Sequence, residues 1–186
     1  MVRAVAASPV ASNKPHEQLR AIGAPRELIE WVRKLPADTA ARAAWVDASR
    51  ADWLPYLAVI RGIDRDAILR ATCACAVEQM PALDGGEAQR VRAVLEDAAA
   101  RGKPALATVE QDLSDLRFAI IAAVHGKERA AWMAWAELAF ELARACSRGN
   151  PLVGIALAMR TLATSGGRPK HAELIGRLRD KLVLGG

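Results

Sequence analysis

The stretch Ile63-Asp-Arg-Asp-Ala-Ile-Leu-Arg-Ala-Thr-Cys-Ala-Cys-Ala-Val77 decides the fold class of this chain. Asp64 is a typical helix N-cap, and Ile63 and Ile68 on either side of it have the spacing of a hydrophobic staple. From residue 71 to residue 77 there is no charge for two turns, which predicts a helix that is buried on all sides. We therefore expect this helix to lie at the centre of an all-helical protein.

The same helical periodicity extends outward in both directions. From Pro25 to Leu184 the apolar residues recur at spacings of three and four, and they almost never alternate as they would in a strand. Glycine and proline residues divide this pattern into segments, and Asp52 is the expected cap of the fourth segment. The predicted helices cover residues 15–21, 25–35, 38–48, 52–61, 64–80, 87–100, 105–124, 127–148, 151–164 and 169–182.

Helices of similar length with short connections predict an all-α, antiparallel bundle of about nine or ten helices, or a short stack of helical hairpins. We expect residues 1–13 to form a disordered tail and residues 14–164 a helical domain. Residues 165–168 read as a linker, and residues 169–186 as a basic C-terminal helix packed on the same domain. With 52% hydrophobic but only 4% aromatic residues, many helix contacts must be lined by alanine, which favours close approach.

The cysteines and the hydropathy pattern indicate the compartment. Three cysteines, an odd number, lie inside helical segments, which is typical of reduced thiols and predicts a cytoplasmic location. No run of about 18 uncharged apolar residues occurs, so we expect no membrane span.

The sequence contains no recognisable catalytic or metal-binding motif. Cys73 and Cys75 are two residues apart, so on a helix they point in different directions and cannot share a small ion. Asp112 and Asp115 share a helix face, but a matching Glu-x-x-His pair is absent from the chain. We therefore expect no metal, no cofactor and no enzymatic activity. An active site that combines Arg70 with the two aspartates is less favoured than the two binding functions considered below, with a protein partner or with nucleic acid.

The three histidines, His16, His125 and His171, are far apart in sequence. Each falls at a predicted helix end or on an exposed face, where capping is a more frequent role than catalysis. Cys146 continues the apolar stripe of Trp132 and Trp135 and is interpreted as a core residue.

Four residues are candidates for contact with a protein partner. Trp45, Trp53 and Tyr56 flank one helix junction and could form a surface cluster, although packing in the core is the alternative. Arg70 is the fourth candidate, because it is the only charge between Ile68 and Val77. It either reaches an edge of the bundle or pairs with a carboxylate such as Asp47 or Glu78.

Charge is concentrated at the two ends of the chain. The net charge is +5, and residues 1–34 and 168–186 each carry three more basic than acidic side chains. The last helix therefore supports an alternative function, in which the protein is a nucleic-acid-associated regulator. The candidate residues for that function are Arg168, Lys170, Arg177, Arg179 and Lys181.

Several short segments carry a family resemblance. They are Ala44-Trp-Val-Asp47, Asp52-Trp-Leu54, Gly62-Ile-Asp64 and Cys73-Ala-Cys-Ala76, followed by the alanine-rich helix with Trp132 and Trp135. In these segments the chain resembles small helical immunity proteins of bacterial polymorphic-toxin systems. The resemblance implies a helical fold and a function in binding and neutralising a partner toxin. Many immunity proteins that block nucleases are acidic, and the near-neutral body of this chain argues against a nuclease partner.

Overall fold

The computed structural model describes residues 14–36, 39–80, 86–123, 127–164 and 170–184. These residues form eleven α-helices and one 3-10 turn, Ala51–Trp53, and they include no strand. The helices are α1 (Pro15–Ala21), α2 (Arg26–Arg33), α3 (Ala40–Asp47), α4 (Leu54–Ile60), α5 (Arg65–Gln79), α6 (Gly86–Arg101), α7 (Lys103–Leu106), α8 (Glu110–Ala123), α9 (Lys127–Ser147), α10 (Pro151–Thr164) and α11 (His171–Leu184). The all-α prediction is confirmed.

Two helices share the centre of the bundle. Helix α10 contacts α4, α5, α9, α11 and the 3-10 turn, and its Ile155, Met159 and Leu162 are buried. Helix α5 contacts α4, α6, α10 and α11. The sequence pattern places only α5 at the centre, whereas the structure divides that position between two helices that pack on each other.

The start of α5 has the predicted cap. The Asp64 carboxylate accepts hydrogen bonds from the backbone N–H groups of Asp66 at 2.8 Å and Ala67 at 3.1 Å. These bonds satisfy two of the donors that every helix N-terminus leaves without an intrahelical partner. Ile68, one member of the expected staple, is fully buried.

Asp52 is not the cap that was predicted. A 3-10 turn containing Asp52 precedes α4, and its carboxylate accepts a hydrogen bond from Arg50 Nη2 at 2.7 Å. The carboxylate of Asp52 therefore binds the nearby Arg50 side chain, whereas the spacing predicted that it would bind the backbone N–H groups at the start of the fourth helix.

The helix predicted over residues 105–124 is two helices, α7 and α8. Gly102 has a φ of 70°, a conformation that favours glycine, and it turns the chain before α7. The N–H of Lys103 then donates to Asp66 Oδ1 of α5 at 2.6 Å, so a distant carboxylate caps this short helix. The sequence spacing of Val109, Leu113, Leu116, Ile120 and Val124 predicts one apolar stripe on this segment. Leu113, Leu116 and Ile120 are buried on α8 as the stripe predicts, and Val124 lies outside the described residues.

Helices α9 and α10 cross closely. A Cβ atom at Gly154 would lie 2.5 Å from the Cβ of Ala145, so only glycine fits this crossing without movement. Trp132, Trp135 and Cys146 of α9 are buried as their shared stripe predicts.

The C-terminal helix α11 packs on the body of the protein. It contacts α5, α10 and the 3-10 turn, and Leu174, Ile175 and Leu178 on its inner face are buried. At its start, Nδ1 of His171 accepts a hydrogen bond from the N–H of Ala51 at 3.1 Å. The predicted tail and linker lie outside the described residues. Among the described helices, none is both long and apolar enough to cross a bilayer.

Candidate functional site

The predicted surface cluster of Trp45, Trp53 and Tyr56 does not form. Trp53 is only 8% exposed and Tyr56 only 4%. Burial, with a contribution from the charge of Asp52, raises the pKa of the Tyr56 phenol. These two side chains are part of the core because the 3-10 turn and the start of α4 lie against α10. Of the three, only Trp45 is half-buried and so remains accessible.

Trp53 belongs instead to a cluster that joins α2 to the 3-10 turn. Its ring lies 5.2 Å from that of Trp31, with an interplanar angle of 35°. The Arg50 guanidinium lies 5.0 Å from the centroid of the Trp53 ring and is bonded to Glu27 at 2.6 Å and to Asp52. This guanidinium has carboxylate partners already, so the cluster stabilises the joint between two elements.

Of the two arrangements expected for Arg70, the structure shows the first, in which the side chain reaches an edge of the bundle. Its side chain is 44% exposed, and its ion pair is with Asp66 at 3.7 Å, one turn earlier on α5, rather than with Asp47 or Glu78. Helix α5 is not buried on all sides, because this face borders an open groove shared with α6 and α11. Neither Asp112 nor Asp115 lines that groove, so the structure does not assemble the enzymatic site considered for these three residues.

The basic side chains of α11 are used largely within the molecule. Arg177 pairs with Glu173 at 2.7 Å and with Glu78 of α5 at 3.6 Å, and Lys181 also pairs with Glu78. Both of these candidates of the nucleic-acid alternative therefore have carboxylate partners within the molecule. Lys170 is exposed, and Arg168 lies outside the described residues.

Arg179 makes the connection that defines the best candidate site. Its Nη2 donates hydrogen bonds to the carbonyl oxygen of Trp45 and, at 3.2 Å, to that of Val46. Both carbonyls belong to the last turn of α3, where a helix has acceptors without intrahelical donors. The structure thus brings together Arg179, which was a candidate for nucleic-acid binding, and Trp45, which was a candidate for contact with a protein partner.

The name Trp45 surface refers here to five residues: Arg42, Trp45, Val46, Arg61 and Arg179. The guanidinium of Arg61 lies 5.4 Å from the centroid of the Trp45 ring, and that of Arg179 lies 5.5 Å from it. Val46 is 59% exposed, and Arg42 is exposed one turn before Trp45. The surface therefore combines an aromatic ring, an exposed aliphatic side chain and three cations.

The electrostatics of the Trp45 surface are positive. Arg42 and Arg61 form no ion pair with the described residues. Burial lowers the pKa of Arg179, and the charge of Asp47 acts in the opposite direction. With three guanidinium groups beside the carboxylate of Asp47, this surface is complementary to an acidic partner.

The three cysteines are buried core residues, as predicted. Burial raises the pKa of the thiols of Cys75 and Cys146 to about 11, and it also raises that of Cys73. Because the thiolate is the nucleophilic form, none of these groups is activated. Within the described ranges, no cluster of His, Cys, Asp and Glu could hold a metal ion.

Two of the three histidines have partners in the structure. Nε2 of His16 lies 3.9 Å from the carboxylate of Glu17, and His171 accepts the backbone bond from Ala51. His125 lies outside the described residues. On α8, Asp112 is exposed, and Asp115 accepts a hydrogen bond from Gln111 at 2.9 Å.

Sequence reasoning missed Arg42, Val46 and Arg61 as candidates. Val46 directly follows Trp45, and the residues four positions before and after it, Arg42 and Arg50, are both charged, which is the signal that could have found it. Arg61 gave no such signal, because its position over the Trp45 ring depends on how α4 packs against α3.

Comparisons with protein-family models, with curated proteins and with solved structures found no match to this chain.

Proposed function

We propose that this protein is a non-enzymatic binding module that acts in the cytoplasm and contacts another protein through the Trp45 surface. The observation that carries the proposal is the half-buried ring of Trp45, held by Arg179 and covered by Arg61, beside the exposed Val46. Tryptophan and arginine are the residue types most enriched where binding energy is concentrated. The cations of this surface select an acidic face on the partner.

The resemblance to immunity proteins supports a more specific proposal, in which the partner is a toxin that this chain neutralises. Immunity by binding needs a preorganised surface and no catalytic group. The anchoring of Trp45 by Arg179 is compatible with that requirement, because a side chain already held in place loses less entropy on binding.

The nucleic-acid alternative has less support. Arg177 and Lys181 are paired with carboxylates, and Arg179 is bonded to backbone carbonyls. Binding phosphates through them would require breaking these contacts. Lys170 is the exposed cation that remains among the described candidates.

The experiment is affinity purification of the tagged full chain from its native organism, after nuclease treatment. The wild type is compared with a Val46→Asp/Arg61→Glu variant and with an Arg90→Glu control, which changes an exposed residue of α6. We expect one near-stoichiometric protein with the wild type and the control, and its loss with the double variant. Equal recovery with all three would contradict the assignment of the Trp45 surface.

Neutralisation is tested separately with the gene for the captured protein. Its expression alone in a bacterial host should stop growth, and co-expression with this chain should restore growth. Restoration by wild type and Arg90→Glu, but not by the double variant, is the expected result. A captured protein that is harmless when expressed alone argues against the toxin proposal and leaves the binding module in place.

A further inference from the structure

A second surface lies along the junction of α9 and α10, on residues that the Trp45 surface does not use. Two depressions of about 340 and 300 Å³ share the side chains of Glu141 and Leu157, so they form one continuous groove. Val153 is 50% exposed and Leu157 43%, and they are one turn apart on the solvent face of α10. We call this feature the α9–α10 groove.

The groove is open because the side chains at its base are small. Gly154 and Ala158 of α10 and Ala145 of α9 line it, and the contact between Gly154 and Ala145 brings the two helices together. Two closely crossing helices with short side chains between them leave a channel in which a third helix can lie, ridge into groove.

The charges around the groove are not balanced. Glu141 is paired with Arg144 at 3.2 Å, and Glu137 is paired with Arg117. Arg148 at one end of the groove and Arg160 on the solvent face of α10 have no ion pair with the described residues. The apolar pair of Val153 and Leu157 is therefore flanked on both sides by free positive charge.

We propose that the α9–α10 groove binds an amphipathic helix of another protein, which presents two apolar residues one turn apart between acidic residues. The apolar residues would pack on Val153 and Leu157, and the acidic residues would face Arg148 and Arg160. A helix laid in an apolar groove is recognised in this way, by anchors at spacings of three and four.

A second copy of this chain is a poor occupant. In an antiparallel pairing of two α10 helices about Val153 and Leu157, Arg148 of one copy would lie near the partner's Arg160. A parallel pairing would place equivalent arginines side by side. Either arrangement brings like charges together, which opposes association.

The test is a selection from a displayed library of 18-residue helical peptides, with the full chain as bait. Every peptide carries two leucines at positions i and i+4, and the flanking positions vary among Glu, Lys, Gln and Ser. We expect the enriched peptides to carry Glu at the flanks. Synthetic versions of them should lose at least about tenfold in affinity for Leu157→Asp and for Arg148→Glu/Arg160→Glu.

Two controls separate this groove from the rest of the surface. Val46→Asp and Arg90→Glu should leave the affinity of the peptides unchanged, and circular dichroism and gel filtration should show that every variant is folded. The replaced side chains are exposed, so folding is expected to survive. Failure of the Trp45 surface in its own experiment would not alter this result.

Three results would overturn the proposal. The first is a selection without enrichment, and the second is enrichment of basic or uncharged flanks. The third is a wild-type dimer in solution that Leu157→Asp converts to a monomer, since a second copy would then be the occupant.

Discussion

Arg179 donates to the carbonyl oxygen of Trp45 across 134 residues of sequence. The bond satisfies a carbonyl at the end of α3 and joins that helix to α11. It also places a guanidinium over the Trp45 ring. One side chain therefore both caps the end of a helix and contacts the ring that we propose as a binding anchor.

Replacing Arg179 should destabilise the fold and loosen the Trp45 surface together. We expect Arg179→Ala to lower the free energy of unfolding by about 1–3 kcal/mol, because the carbonyls of Trp45 and Val46 lose a charged donor. Arg179→Lys should lower the free energy of unfolding by less than Arg179→Ala does, since a lysine ammonium keeps the charge but lacks the planar set of guanidinium donors. Urea denaturation measures both, with Arg90→Ala as the control. An Arg179→Ala midpoint equal to that of the control would show that the bonds contribute little.

The close crossing of α9 and α10 predicts opposite effects for two glycine-to-alanine changes. Gly154→Ala should destabilise by about 1–3 kcal/mol, because the new Cβ would clash with Ala145. Gly176→Ala, in the open on α11, should stabilise by up to about 1 kcal/mol, because alanine is the better helix former. Thermal denaturation of the wild type and the two variants compares their stabilities. A Gly154→Ala protein as stable as the wild type would mean that the helices move apart at no cost.

The carboxylate of Asp66 should contribute stability through a helix that is not its own. It accepts from the N–H of Lys103 at 2.6 Å and so caps α7. Asp66→Ala should cost about 1 kcal/mol, and Asp66→Asn, which keeps an acceptor oxygen, should cost less. Hydrogen exchange at the amide of Lys103 should quicken in the alanine variant. Unchanged exchange there would remove the capping role.

The buried thiols predict a loss of stability at alkaline pH. Burial raises the pKa of Cys75 and Cys146 to about 11 in the folded state, from an ordinary value of 9.0. The folded protein therefore binds more protons than the unfolded chain between these values, so stability is complete below about pH 9 and falls as pH rises toward about 11. Denaturation across pH 8–11 measures this slope. Replacing all three cysteines with alanine should flatten it.

The same thiols should be protected from modification. A thiol reagent such as a disulfide dye should react slowly with the native protein at pH 8 and fully in denaturant, because only the unfolded chain exposes Cys73, Cys75 and Cys146. Fast labelling of the native protein would indicate that the helices covering these thiols open readily.

Local sequence signals predicted the helices well and their contacts poorly. The cap at Asp64 and the stripe of Leu113, Leu116 and Ile120 depend on neighbours within two turns, so spacing was enough to find them. The separation of α7 from α8 and the pairing of Asp52 with Arg50 were missed. The short helix α7 is capped by the carboxylate of Asp66 from another helix, and Asp52 has a competing local partner.

The candidate site shows the same division between local and distant contacts. The tryptophans near residues 45–53 were recognised as candidates, but spacing alone cannot show which of them lies in the core. Lys181 looks free in the sequence because its partner, Glu78, is 103 residues away.

By itself, the sequence determined that this protein is helical, where most helices begin and end, and that its cysteines and apolar stripes face inward. Those properties follow from propensity, caps and a period of 3.6 residues, which act within a few turns. Only the tertiary structure decided that Trp53 is buried while Trp45 is accessible, that Arg179 caps the end of α3, and that Val153 and Leu157 border an open groove. These outcomes depend on which helices pack together, and that choice is made by contacts between residues far apart in the chain.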